Sequence, residues 1–195
     1  ESRGLISGSI NIERTFANPV ITSEINIQNP GFDKINGESL KGKIYYNNKR
    51  LDFRNLALKT ATGRFSGFGY VPADLNLIIL NRGDISHEPL DFVFTGMTDN
   101  IEFLPPYFNL LDSLTSAHSE DDTLNYTLQL LLTGTLANPV RNGWVRIRNG
   151  ILFLDPINES IENINGKLSI HNNQLIIDEL HGSLIQPDNS GVLNI

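Results

Sequence analysis

The side chains most able to do chemistry in this sequence are four histidines, a few clustered carboxylates and one lone tryptophan. His87, His118, His171 and His181 stand in separate segments, and no two have the spacing of a metal-ligand pair. His171 and His181 would approach each other if the segment between them folds back as a hairpin, but solvated positions on strand faces are the simpler reading. Ser119-Glu120-Asp121-Asp122 concentrates charge without the alternate-position carboxylates and glycine of a calcium loop. Gly63 to Gly69 (GRFSGFG) has neither nucleophile-elbow spacing nor the Gly-Lys-Ser/Thr end of a phosphate loop. Glycines placed there let a strand twist or bulge. Asp33 with Glu38, or Asp178 with Glu179, would make a carboxylate pair only if something held them together, and turn positions are the default. Trp144, beside Arg146 and Arg148, is either a rim residue near a headgroup or partner, or a ring with an arginine stacked on it. These residues predict no catalytic centre, no metal and no cofactor, so we expect a protein that is not an enzyme.

Composition narrows the classes further. The chain has 195 residues, 39% of them hydrophobic, and a net charge of −7. Its mean hydropathy is −0.16. That combination supports a folded core and argues against a nucleic-acid surface, which needs clustered Lys and Arg. No stretch reaches the ~18 consecutive apolar residues of a membrane span. With no cysteine there is neither a disulfide framework nor a thiolate nucleophile. A first residue of Glu1 and a last residue, Ile195, in mid-pattern lead us to expect a piece of a longer protein.

The elements that position these residues read as strands. Leu90, Phe92 and Phe94 alternate with polar positions, as do Leu124, Tyr126, Leu128, Leu130 and Leu132 against Asn125, Thr127, Gln129 and Thr133. Such period-2 stretches predict strands with one apolar and one polar face. Asn36-Gly37, Asn142-Gly143, Asn149-Gly150, Asn163 to Gly166 and Pro187 to Gly191 predict turns that divide them into short strands. One helix is predicted over Pro105 to Leu114, followed by a polar loop from Ser116 to Asp122.

Part of the pattern occurs twice. Asn18-Pro19-Val20 and Asn138-Pro139-Val140 lie 120 residues apart. GKIYYNNKRLDFRNL (Gly42 to Leu56) aligns without a gap on GKLSIHNNQLIIDEL (Gly166 to Leu180), at an offset of 124, with the Asn-Asn pair one place earlier in the first copy. Both copies predict a strand to Tyr46 or Ile170, an Asn-rich turn, and a second strand from Leu51 or Leu175. We therefore expect two related repeats, about 8–70 and 130–195, joined by a β/helix region over 71–129.

The glycine-framed succession GTLANPVRNGWVRIRNGILFLDP (Gly134 to Pro156) running into IENINGKLSIHNNQLIIDELHG (Ile161 to Gly182) resembles the C-terminal part of the TamB family, within the AsmA-like bridge-like lipid transfer proteins. The first copy, Gly8 to Tyr70, is similar but looser. The resemblance implies an inner-membrane-anchored protein crossing the bacterial periplasm as a long sheet curled into a β-taco lined by aliphatic side chains. It also implies an outer-membrane TamA-like barrel as partner, with neighbouring β segments of the same protein continuing the groove. Phospholipid acyl chains would be the guest, moved between inner and outer membranes in support of outer-membrane assembly.

From these patterns together with the resemblance we expect an all-β fold: a long, twisted, mainly antiparallel sheet curled into a taco-like hydrophobic groove, with one short helix. The expected groove lining is Ile21, Ile25, Ile27, Ile44, Phe92, Phe94, Leu124, Tyr126, Leu128, Leu130, Leu132, Val145, Ile147, Leu168, Ile170, Leu175 and Ile177. A one-residue register slip would exchange the faces wholesale. Two other readings stand beside the conduit. One is a structural or adhesive β-solenoid whose core is packed solid. The other is a carbohydrate-active β-helix enzyme, which needs clustered surface carboxylates or arginines that the sequence lacks.

Overall fold

The computed structural model describes residues 2–32, 35–75, 83–99, 126–154, 159–185 and 190–194. All regular structure among them is strand. The elements are β1 (Ser2–Thr15), β2 (Asn18–Phe32), β3 (Ile35–Asn47), β4 (Arg50–Thr60), β5 (Gly63–Pro72), β6 (Asp91–Thr98), β7 (Tyr126–Gly134), β8 (Pro139–Leu154), β9 (Glu159–His171), β10 (Gln174–Ile185) and β11 (Ser190–Asn194). They form one open antiparallel sheet in which spatial order follows chain order, a meander from β1 to β11. The predicted helix over Pro105 to Leu114, the polar loop after it and Leu124 fall outside the described residues. No helix among the described residues is long and apolar enough to cross a membrane.

The chain separates into two units, one of Glu1–Thr95 with Leu130–Asn142, the other of Gly96–Gln129 with Gly143–Ile195. In the first unit, β1 and β2, β3 and β4, and β4 and β5 are joined by tight reversals. The β3–β4 hairpin closes on Asn47 opposite Arg50, with Asn48 and Lys49 between them at φ of 50° and 59°. Two left-handed central residues define the turn whose twist matches that of paired strands, and asparagine tolerates that conformation best after glycine. In the second unit, the β9–β10 hairpin repeats this device: His171 faces Gln174 across Asn172 and Asn173, at φ of 48° and 68°.

The strands are longer than the turn signals predicted. Asn36-Gly37 lies inside β3, where Gly37 faces Thr60. Asn142-Gly143 and Asn149-Gly150 lie inside β8, and Asn163 to Gly166 lies inside β9. Of the fifth signal, Pro187 to Asn189 lie outside the described residues, and Ser190 and Gly191 belong to β11. The correction has a local cause: a left-handed asparagine makes a bulge as readily as a reversal. Asn55 and Asn149, at φ of 53° and 50°, stand within the register shifts of β4 against β5 and of β8 against β9.

The glycines of β5 also do more than relax a strand. A Cβ on Gly67 would stand 2.7 Å from the ring of Phe92, and one on Gly69, at φ +121°, would stand 2.3 Å from the Asp91 carbonyl oxygen. They open the space in which Phe92 packs edge-on against Phe53, ring centres 5.7 Å apart, while Phe65 and Phe94 stack at 5.6 Å. Such aromatic pairs add ~0.5–1.5 kcal/mol beyond their area.

Candidate functional site

Register decides which side chains share a face. In the first unit Ile21 faces Ile12 and Tyr46, Ile25 faces Gly8 and Gly42, and Ile27 faces Ile6 and Leu40. Ile44 faces Ser23 and Phe53, Leu40 faces Leu58, and Leu58 faces Phe65. The ring contacts bring Phe92 and Phe94 to the same side. The paired positions on this face from β1 to β5 are mostly Ile, Leu, Phe, Tyr and Gly, with Ser23 among them. The opposite face carries the charge: Glu24 pairs with Lys43 at 2.5 Å, Lys59 with Glu38, and Arg50 with Asp52 at 2.7 Å while covering the ring of Tyr70 at 3.7 Å. All of these are solvent-facing and each contributes less than ~1 kcal/mol.

The second unit has the same polarity. Val145 faces Leu168, Ile147 faces Gly166, and Ile170 faces Leu175. Ile177 faces Leu168 across the β9–β10 pair. Tyr126 lies on this side, its Oη 3.4 Å from where a Gly150 Cβ would stand. On the other side Trp144 donates from Nε1 to Gln129 Oε1 at 3.1 Å, with Arg146 5.9 Å from its ring centre. Alternation from Gln129 puts Leu128 with Tyr126. Ser169 donates to Asp178, which Lys167 also approaches at 3.5 Å. Leu130 and Leu132, in the first unit, are half-buried.

Exposure varies along these faces. Tyr126, Leu128, Val145, Ile147, Leu168 and Ile170 are buried, Ile147 to 1%. Ile21, Ile25, Ile27, Ile44, Phe92, Phe94 and Leu175 are half-buried. Ile177 is 54% exposed, and on β1 Ile6 and Ile10 are each 70% exposed. The alternation in β1 carried these isoleucines from the start, although the expected lining omitted them. A shallow depression near the middle of the first unit is bordered by Gly8, Ile25 and Gly42, but also by Glu24, Lys41, Lys43 and Asn55.

The candidate chemical residues stay apart. His87, His171 and His181 are exposed, and no group of three metal-ligating side chains occurs among the described residues. Glu38 is engaged by Lys59 and Asp178 by Ser169 and Lys167, which accounts for them as cross-strand partners. His118, Asp33 and the Ser119–Asp122 cluster lie outside the described residues. Asp84 accepts from the Ser86 backbone N–H at 2.8 Å, and bonding to Ser86 holds its carboxyl below the usual range.

No protein-family model matches the chain, and neither a curated protein nor a solved structure matches it. The class that fold and site define is a physical one: an open antiparallel meander whose strands gather apolar side chains on one face and ion pairs on the other.

Proposed function

We propose that this chain is one segment of a lipid-transfer conduit: its sheet curls into a taco-like groove that carries phospholipids across the bacterial periplasm between inner and outer membranes. In this reading the groove belongs to an inner-membrane-anchored protein that meets a TamA-like outer-membrane barrel and serves outer-membrane assembly. The observation that carries it is the apolar face that continues from strand to strand over β1 to β5, through Ile6, Ile27, Leu40, Leu58 and Phe65 and through Ile12, Ile21, Tyr46 and Leu51. Bringing an acyl chain into water costs ~0.8 kcal/mol per CH₂. A guest with two such chains needs an apolar surface that continues from strand to strand. Open isoleucines at Ile6, Ile10 and Ile177 give acyl chains a surface to touch.

A second reading, a structural sheet with a solid core, is favoured by one specific observation. Tyr126, Val145 and Ile147 are between 0% and 2% exposed, which leaves a guest no access to them.

Lipid extraction and mass spectrometry on detergent-free purified chain separates the two. The conduit predicts phospholipid near one equivalent, reduced by Ile25→Asp and Ile177→Asp with the circular dichroism of the sheet retained. A lipid-free chain, or lipid indifferent to both substitutions, would leave the solid core as the reading.

A further inference from the structure

We infer that the ionic face of the first unit holds a binding site for a phosphate group, seated in the depression between Lys41 and Lys43. It lies on the side of the sheet away from the apolar face, so it is separate from the proposed acyl surface.

The first observation is a local excess of positive charge. Strands β3 to β5 carry Lys41, Lys43, Arg50, Arg54, Lys59 and Arg64 against two carboxylates, Glu38 and Asp52. The chain as a whole has a net charge of −7. Asp52 engages Arg50, Glu38 engages Lys59, and Glu24 of β2 engages Lys43. Lys41, Arg54 and Arg64 make no ion pair among the described residues.

The second observation is where register sets these cations. Arg54 stands directly opposite Lys43, and Arg64 directly opposite Lys59. Like charges at directly opposed positions destabilise a sheet. Arg54 has only an aromatic neighbour in return, its guanidinium 5.8 Å from the ring centre of Tyr45. An anion bound beside Lys43 relieves that repulsion.

The third observation is shape. Two rows of side chains cross β1 to β3 on this face: Ser7, Asn26 and Lys41 in one, Ser9, Glu24 and Lys43 in the other. Between them Gly8, Ile25 and Gly42 belong to the opposite face, so backbone forms the floor. The rows bound a depression of about 570 Å³, which Asn55, left-handed at φ 53° in the β4 bulge, also lines.

The donors select phosphate. Lys41 and Lys43 supply ammonium groups, the Ser9 hydroxyl and the Asn55 amide supply neutral donors, and Glu24 is already engaged by Lys43. Ser7 is committed elsewhere, donating to the Asn26 carbonyl at 3.2 Å. A phosphate monoester presents three strong acceptor oxygens and a charge of about −1.5 to −2 at pH 7. A carboxylate presents two oxygens and one charge, and leaves part of this donor set unused. The same phosphate chemistry is offered by a soluble ester and by a lipid headgroup.

The test titrates the intact chain with glycerol phosphate, followed by phosphorus NMR and equilibrium dialysis. In parallel the chain is floated with phosphatidylcholine vesicles, with and without phosphatidic acid. Saturable binding is expected, weakened roughly tenfold by Lys41→Gln, the loss expected for one charge-assisted hydrogen bond. Glu24→Gln, which frees Lys43 and removes the one carboxylate lining the depression, should tighten binding. Lys49→Gln removes the same charge as Lys41→Gln at the exposed β3–β4 turn and should leave binding unchanged. Glycerol phosphate binding that obeys these variants assigns a soluble ester. Flotation with phosphatidic acid alone, obeying the same variants, assigns a headgroup, and either result supports the site. No binding of either probe, or a loss as large in Lys49→Gln as in Lys41→Gln, overturns it. The lipid reading falls or stands separately, because co-purified phospholipid that Ile177→Asp removes bears on the conduit alone.

Discussion

Tyr126 shows at a single residue how an apolar face handles a polar atom. The side chain is fully buried, and no partner among the described residues reaches its hydroxyl. Burial pushes the phenol above its ordinary value of 10.0, keeping it neutral. Deleting a hydroxyl whose desolvation is uncompensated should help, so Tyr126→Phe is expected to stabilise the chain by about 1 kcal/mol, read as a higher urea midpoint. The pH dependence has a definite sign. A folded-state pKa raised above the unfolded one gives a contribution that is complete below 10.0 and is lost as pH rises through the folded value. The stability gap between Tyr126→Phe and wild type should therefore widen above pH 10.0. A constant gap would mean that the hydroxyl is hydrated in the folded state.

Strands and corners show what the repeat does physically. Strand β3 begins at Ile35 and β9 at Glu159, β4 at Arg50 and β10 at Gln174, both at the offset of 124. The turn residues obey it too: Asn48-Lys49 corresponds to Asn172-Asn173, so the Asn-Asn displacement in the sequence is a change of residue type at one turn position and not a shifted turn. Left-handed Asn29 and Asn149 obey the other offset, 120. The positions where the copies differ make a direct test. Arg14 holds a left-handed conformation that its counterpart gives to Gly134. A non-glycine residue there costs roughly 1–2 kcal/mol, partly offset by the lower unfolded-state entropy of a non-glycine residue. Arg14→Gly should thus stabilise by about 0.5 kcal/mol. Gly134→Ala should destabilise by more than that amount, since its Cβ would meet the Asn138 carbonyl oxygen at 2.6 Å. Equal and opposite small effects, measured by thermal melting, would show that the corners relax independently of this residue.

At the scale of the whole molecule, exposure decides which substitutions report on transport. Leu128 and Ile170 are buried, at 4% and 8%. An aspartate there is expected to cost roughly 3–5 kcal/mol and unfold much of the chain, so any loss of lipid would be uninformative. Ile25 and Ile177 share the apolar faces but retain solvent contact. In the longer protein that the conduit implies, Ile25→Asp should leave the protein at normal abundance and stop phospholipid transfer. Cells carrying it with a normal outer-membrane lipid balance would sink the conduit.

Strand character, the alternation of faces and the pair of Asn-rich hairpins were legible because each rests on local rules: side chains alternate every two residues, and few residue types tolerate a left-handed turn. The shared face of Ile21, Ile25 and Ile44 followed from that alternation once the strands were paired. Strand length was not legible. Asn149-Gly150 and Asn163 carry the same local signal as Asn48, and only pairing with a neighbouring strand makes one a bulge and another a reversal. Exposure was equally hidden: Ile10 and Ile147 look alike in sequence, yet one is 70% exposed and the other 1%. The sequence determined which way each side chain points, because that is a property of one strand. The tertiary structure alone decided what stands beside or over it, because cover is supplied by residues far along the chain.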